Sequence, residues 1–261
     1  MENESIHEQV TAQFGANAAA YATSPTHRDE KSLRELVDLV KPKHSDRLLD
    51  VATGAGHTAL AFAPEVAAVV AYDITPAMLH QTEKLAQERG LENVVTQLGS
   101  AEEMPFEDGS FDVVTVRTAP HHFADIDAFL AESFRVLKSG GTLLVVDTTV
   151  PEDPQVGAEI NRIEKLRDPS HGRNLTVPEW VSAIESNGFQ VVSTKEGFHA
   201  GGKKMELDQW MNRIGTPEEN REEIIGSFTD PTPELVEALD IERLDGSIWF
   251  TLPEVTLLAK K

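Results

Sequence analysis

A short apolar run that ends in an acid and passes at once into a two-glycine loop constrains this chain more than any other feature. The stretch is Leu48-Leu49-Asp50-Val51-Ala52-Thr53-Gly54-Ala55-Gly56-His57-Thr58, and the helix formers Ala59-Leu60-Ala61-Phe62-Ala63 follow it. That order predicts strand, tight turn and helix. Gly54 and Gly56 lack a Cβ, so the backbone can turn sharply there and a ligand can come close. The N–H groups that open the helix carry partial positive charge toward such a ligand.

The same alternation continues downstream. Val66 to Tyr72 is a β-branched run suited to a buried parallel strand, and it ends at Asp73. An acid at the end of a second strand, roughly 20 residues past the glycine loop, is placed to accept hydrogen bonds from two ribose hydroxyls. Ile74 follows and can pack on an adenine face, and Thr75-Pro76 then opens a helix. Val94 to Leu98 and Asp112 to Val116 read as further strands, and Asp127 to Lys138 as an amphipathic helix halted by Gly140-Gly141 before a strand over Thr142 to Val146.

Two cofactor classes use such a loop. Gly54-x-Gly56-x-x-Ala59 fits the dinucleotide fingerprint superficially, but there the strand runs straight into the first glycine. Here Asp50 stands ahead of the glycines, where it would repel a pyrophosphate and attract a cationic ligand. The loop resembles the acid-x-Gly-x-Gly-x-Gly loop of class I S-adenosylmethionine-dependent methyltransferases, with Ala52 at the first glycine position. Gly99-Ser100-Ala101-Glu102-Glu103-Met104-Pro105-Phe106, followed by Phe111-Asp112, is similar to that family's Gly-Asp-Ala-x-x-Leu-Pro-Phe segment. Phe134-Arg135-Val136-Leu137-Lys138-Ser139-Gly140-Gly141 matches its helix–turn–strand. Within the family, the resemblance points toward the ubiquinone/menaquinone methyltransferase-like small-molecule group.

The resemblance implies a doubly wound α/β fold: a seven-stranded, mostly parallel sheet with an antiparallel last strand and helical lid elements. The chain is then one methyltransferase domain, with a lid segment over 1–28, a cofactor-binding core over 29–150 and a substrate-side half over 151–261 that carries a helical insertion at 200–247. The implied cofactor is S-adenosylmethionine, leaving as S-adenosylhomocysteine. The implied cofactor-binding residues are Tyr21, Asp50, Ala52, Thr53, Gly54, Gly56, Asp73, Ile74, Ser100, Ala101 and Arg117. Ser100 replaces the family acid that meets the adenine amine, and a hydroxyl accepts that bond more weakly than a carboxylate. His121 and His122 leave the fourth strand where the methyl group would transfer, and with His27 they are the candidate bases, His121 first. Shaping the pocket is the competing role for the pair.

Beyond residue 150 the pattern is less regular. Thr176 and Glu179 form a capping box that starts a helix, and Arg167 to Asn174 reads as a loop, with His171 and Arg173 on its surface. Phe14, Tyr21, Trp210 and Arg213 are lid candidates, and Ile248 to Ala259 reads as the closing strand. Composition narrows the function. There is no cysteine, which removes disulfides, thiolate catalysis and Cys-ligated metals, and the scattered histidines predict no metal site. Lys and Arg number 23 against 44 Asp and Glu, a net charge of -21 that repels phosphodiester backbones and disfavours a nucleic-acid substrate. The same field favours a neutral or cationic acceptor over an anionic one. No apolar run spans a bilayer and no signal sequence opens the chain, so the expectation is a cytoplasmic enzyme acting on a small-molecule acceptor at O, N or C, with a homo-oligomer left open. A non-catalytic S-adenosylmethionine sensor or partner protein and an NAD-dependent oxidoreductase are the alternatives.

Overall fold

The computed structural model describes residues 2–24, 28–198 and 202–261. A helix α1 (Glu2–Thr23) and a helix α2 (Glu30–Val40) precede the sheet. The first five strands are β1 (Arg47–Val51), β2 (Ala68–Asp73), β3 (Val94–Leu98), β4 (Phe111–Arg117) and β5 (Leu137–Thr148). Between them run α3 (His57–Phe62), α4 (Pro76–Glu88) and α5 (Ile126–Val136). The second half adds α6 (Pro154–Arg167), α7 (Val177–Ser186) and β6 (Gln190–Phe198). It continues through β7 (Met205–Glu206), α8 (Leu207–Ile214), α9 (Glu218–Thr229), α10 (Pro233–Leu239), β8 (Glu242–Leu244), β9 (Ser247–Phe250) and β10 (Pro253–Lys260).

The main sheet has seven strands in the order β3-β2-β1-β4-β5-β10-β6. β1 pairs parallel with β2 and β4, β2 with β3, and β4 with β5, while β10 lies antiparallel between β5 and β6. The expected doubly wound sheet is thus present, with its last strand reversed and inserted beside the fifth. Period-two alternation sends neighbouring side chains to opposite faces. Leu49, Val114 and Val145 pack with Phe129 and Trp180 of α5 and α7 on one side. Leu48, Val113 and Leu144 pack with Val37 and Phe62 of α2 and α3 on the other.

A third core stands apart from the sheet. Val156, Ile160 and Ile163 of α6 meet Trp210, Ile224, Phe228, Leu239 and Phe250, so α8, α9 and α10 are clamped to α6 as a cap. The order β7-β9-β8 gives this cap a small sheet of its own. The expected single strand over Ile248 to Ala259 is therefore two strands. β9 serves the cap and β10 the main sheet, separated by Thr251 and Leu252. The helix read to Lys138 ends at Val136, because Leu137 already pairs with Phe111 in the sheet. The Lys138 amine then reaches the Asp112 carboxylate at 2.7 Å instead of a helix end.

Helix α1 crosses the carboxyl ends of the parallel strands. Gln13 Nε2 donates to the Ile214 carbonyl at 2.8 Å, joining α1 to the cap. Ligand sites in open α/β sheets lie at those strand ends. Among the described residues, no helix is long and apolar enough to cross a membrane.

Candidate active site

The loop after β1 is built around two buried acids. Asp50 is 1% exposed, and its carboxylate accepts from the Thr115 and Thr53 hydroxyls, each at 2.6 Å, and from the Ala59 N–H at 3.1 Å. Burial pushes its pKa up against those bonds. Asp73, at the end of β2, accepts from the Gly54 N–H and the Thr75 N–H, both at 2.8 Å. Burial raises its pKa also. The Thr75 hydroxyl and the Ile74 N–H also favour its charged form. Ala52 holds φ +51°, a left-handed conformation that costs an L-residue roughly 1–2 kcal/mol. Gly56 holds φ +84°, and a Cβ there would come within 2.6 Å of Thr82 Cγ2. Only glycine fits at that turn.

These elements line a first chamber, with about 980 Å³ of empty space when the solvent at its mouth is included. Of the expected cofactor residues, Tyr21, Asp50, Ala52, Thr53, Gly54, Asp73, Ile74, Ala101 and Arg117 all face it. Gly56 sits behind the wall as the N-cap of α3. Ser100 is absent from the lining too: its hydroxyl is bonded to the Glu102 carboxylate, which does face the chamber. Glu102 also accepts from the Ala124 N–H at 3.0 Å and lies 3.2 Å from His7 Nε2. His57 is a further lining residue that sequence reasoning missed. Its Nε2 donates to the Tyr21 carbonyl at 3.1 Å, tying α3 to the lid helix, and burial drops its pKa to about 4. Arg117 donates from Nε to the Thr58 hydroxyl at 2.9 Å, and burial lowers its pKa.

A second chamber of about 540 Å³ adjoins the first, and Phe14, Tyr21, Thr118 and His122 line both. Thr118 adopts φ +53°, a left-handed strain at the junction. His121 faces the second chamber and not the first. Its Nδ1 meets Asp147 Oδ1 at 2.6 Å while its own N–H donates to Oδ2 at 3.0 Å, so the acid at the end of β5 fixes ring and backbone together. Burial opposes charge on this ring, but the Asp147 carboxylate outweighs burial and holds the His121 pKa above the ordinary value. His122 donates from Nδ1 to the Ser170 carbonyl at 3.1 Å, with the Phe14 ring edge-on at 4.9 Å. Burial and the neighbouring His121 charge push its pKa well down. His27 lies outside the described residues.

The loop after α6 is not on the surface as expected. His171 is 2% exposed and stacks 5.2 Å from His121, and burial takes its pKa to about 2. Arg173 does stay outside, paired with Glu179 at 2.8 Å. Glu164, Arg167 and Asp168 join His171 in the second chamber, and Trp210 and Arg213 of α8 reach it from the cap. The loop's short polar run gave no periodic signal that it turns inward. Among the described residues, no group of three or more His, Cys, Asp or Glu could hold a metal ion.

This geometry can seat a nucleoside-bearing cofactor in one chamber and present a second molecule to it across one wall. Comparisons with known proteins bear on the family and the fold. Residues 49–145 match the family described as a methyltransferase domain. The chain is 37% identical over 212 residues to the uncharacterized methyltransferase YcgJ of Bacillus subtilis, covering 81% of this chain and 82% of that protein. The crystal structure of YcgJ superposes with a TM-score of 0.80 at 35% identity, covering 88% and 98% of the two chains. A demethylmenaquinone methyltransferase of Thermus thermophilus is 40% identical over 120 residues, covering 45% of this chain and 54% of that one.

Proposed function

From the premise that this chain belongs to the S-adenosylmethionine-dependent methyltransferases, we propose that it methylates a small molecule held in the second chamber, in the cytoplasm. The observation that carries this reading is the pair of adjoining chambers with a shared wall at Phe14, Tyr21, Thr118 and His122. The net charge of -21 supports a small acceptor over a polynucleotide.

The first chamber fits the cofactor on its donor set. Asp73 lines the chamber and would accept from ribose hydroxyls, and Ile74 and Ala101 supply apolar surface beside it. The loop at Gly54, held by Asp73, would hold the cofactor's amino-acid portion. When bound, S-adenosylmethionine supplies an electrophilic methyl group on a sulfonium that is already a good leaving group. The protein's work is then positioning and the exclusion of water, through α1 and the cap. For an O or N acceptor, His121 can take the proton. Its Nδ1–H is committed to Asp147, so the neutral ring offers Nε2 as the base, an arrangement in which the carboxylate fixes tautomer and orientation.

Parallel calorimetric titrations with S-adenosylmethionine, S-adenosylhomocysteine and NAD test the cofactor assignment for these residues, and an acceptor panel read by S-adenosylhomocysteine release tests turnover. Binding of the first two with NAD silent, and turnover with at least one small acceptor, is the expected result. Cofactor binding with no turnover across the panel would favour a non-catalytic sensor.

A further inference from the structure

We infer that the loop from Asp168 to Asn174 is a positioning element of the acceptor site: it holds the His122 ring with its proton on Nδ1 and leaves Nε2 only as a hydrogen-bond acceptor. This deepens the reading of the second chamber and rests on it. The loop opens Asp168-Pro169-Ser170-His171, and its backbone is clamped to the histidine pair. The Gly172 and Arg173 N–H groups both donate to the His121 carbonyl, at 2.8 and 3.2 Å. A Cβ on Gly172 would stand 2.9 Å from that oxygen, so the close approach needs glycine. Lys165 pins the other side of the loop, its amine donating to the Pro169 and His171 carbonyls at 2.8 and 2.6 Å.

Among the described residues, two oxygens lie within reach of His122 Nδ1: the Ser170 carbonyl at 3.1 Å and the Ser170 hydroxyl at 3.3 Å. A carbonyl can only accept. The hydroxyl has one proton, and it goes to the Asp168 carboxylate at 2.6 Å. Both oxygens therefore face the ring as acceptors, and Nδ1 carries the proton. Asp168, 2% exposed, also takes the Ser170 N–H at 2.9 Å and so fixes the serine in place. The far end of the loop repeats the device on His121. Thr148 Oγ1 lies 3.3 Å from His121 Nδ1, and its proton goes to Asn174 Oδ1 at 2.5 Å. Donation to Glu164, also at 2.5 Å, turns the Asn174 amide that way round. His121 Nδ1 thus meets acceptors as well, the Asp147 carboxylate foremost at 2.6 Å.

The two rings share a tautomer and differ in charge. Burial opposes charge on both. On His121 the Asp147 carboxylate outweighs burial. On His122 the His121 charge adds to burial, and together they outweigh Asp168, which lies 3.9 Å from Nε2. His171, the third ring of the cluster, is kept neutral by burial. His122 lines both chambers. A neutral ring at that wall, fixed as an acceptor, holds an O–H or N–H beside the reacting atom and does not compete with His121 for the transferred proton.

The test is proton–nitrogen NMR correlation of the histidine rings in the ligand-free full chain at about pH 8, where a neutral imidazole shows which nitrogen is protonated. His122→Gln identifies the signal by its loss. The wild-type protein should show His122 protonated on Nδ1, and Ser170→Ala should keep that form, because the carbonyl remains. Asp168→Ala frees the serine proton to turn toward the ring, so His122 should pass to the Nε2–H form or to a mixture. Asp168→Ala combined with Ser170→Ala should restore Nδ1–H, although the carboxylate charge is equally absent. S-adenosylhomocysteine affinity should stay within about twofold in all three variants, since Asp168 and Ser170 are absent from the lining of the first chamber. An Nε2–H or mixed ring in the wild type overturns the inference, and that reading decides even where a variant does not fold. An unchanged ring in Asp168→Ala, or a double variant that stays altered, overturns it too. The tautomer is read with no ligand present, so it stands or falls apart from the methyltransferase reading, whose failure would show as absent cofactor binding in the wild type.

Discussion

Glu102 stands where the sequence pattern leads one to look for Ser100. The serine hydroxyl is spent on the glutamate, and the glutamate faces the first chamber beside Ala101. Ser100→Ala should therefore leave S-adenosylhomocysteine affinity within about threefold, whereas Glu102→Ala should weaken it about tenfold, since a charge-assisted hydrogen bond is worth roughly 1.5–3 kcal/mol. Calorimetry on the two variants checks the ranking, and a larger loss at Ser100 would restore the family's usual position. His121 and Asp147 form the second residue-scale prediction. The raised His121 pKa keeps its ring charged to higher pH, so the rate with an O or N acceptor should rise with pH along a limb set by that ring. Asp147→Asn removes the charge that raises it and should move the limb to lower pH, with kcat reduced. A limb that stays in place in a kcat profile would remove His121 as the base. Asp73 and Gly54 were legible in sequence because a strand end and a turn fix them locally. Glu164, Arg167 and Asp168 were not, because their place in the second chamber depends on which distant wall the end of α6 and the loop after it face.

At the scale of elements, α1 is the piece most clearly added to a finished fold. Its described side chains belong to none of the three hydrophobic cores, yet His7, Val10, Phe14 and Tyr21 line the first chamber. Removing residues 1–23 should leave a cooperatively folded protein with a melting temperature a few degrees lower. S-adenosylhomocysteine affinity should fall tenfold or more, from lost apolar cover and lost water exclusion. Retained affinity in the truncated chain would deny α1 the part of a lid. The alternation of strands and helices through β5 was readable from apolar periodicity and from acids and glycines at the turns. Past β5, Ile248 to Ala259 is one apolar-rich run across two strands, and the break at Thr251 and Leu252 exists because β9 answers to the cap while β10 answers to the sheet. Periodicity reports a face to be buried and is silent about which neighbour buries it. The capping box of Thr176 and Glu179 shows the opposite case, a purely local signal that the fold keeps, with both of its bonds formed.

Across the whole molecule, buried histidines tie stability to pH. His57 has its folded pKa lowered to about 4 from an ordinary 6.5, so between those values the unfolded chain takes up a proton that the folded chain refuses. Stability from this residue is present above about pH 6.5 and is lost as the pH falls toward 4. His57→Asn cannot titrate, so wild type should lose about 2–3 kcal/mol relative to the variant over that window, read from urea midpoints at several pH values. A difference that stays flat with pH would mean that His57 is solvated in the folded state. His121 acts in the other direction: its contribution is complete below about 6.5 and is lost as pH rises through its raised folded value. The sheet order has a consequence of another kind, for the chain as it is made. β10 lies in space between β5 and β6 but follows β6 in sequence by more than fifty residues, with the whole cap between them. On the ribosome, β1 to β5 can pair as they emerge. β6 has no partner in the sheet until residues 253–260 leave the exit tunnel, so for that interval the nascent chain carries an open strand edge on each side of the missing one, and β10 threads into a gap that is already waiting.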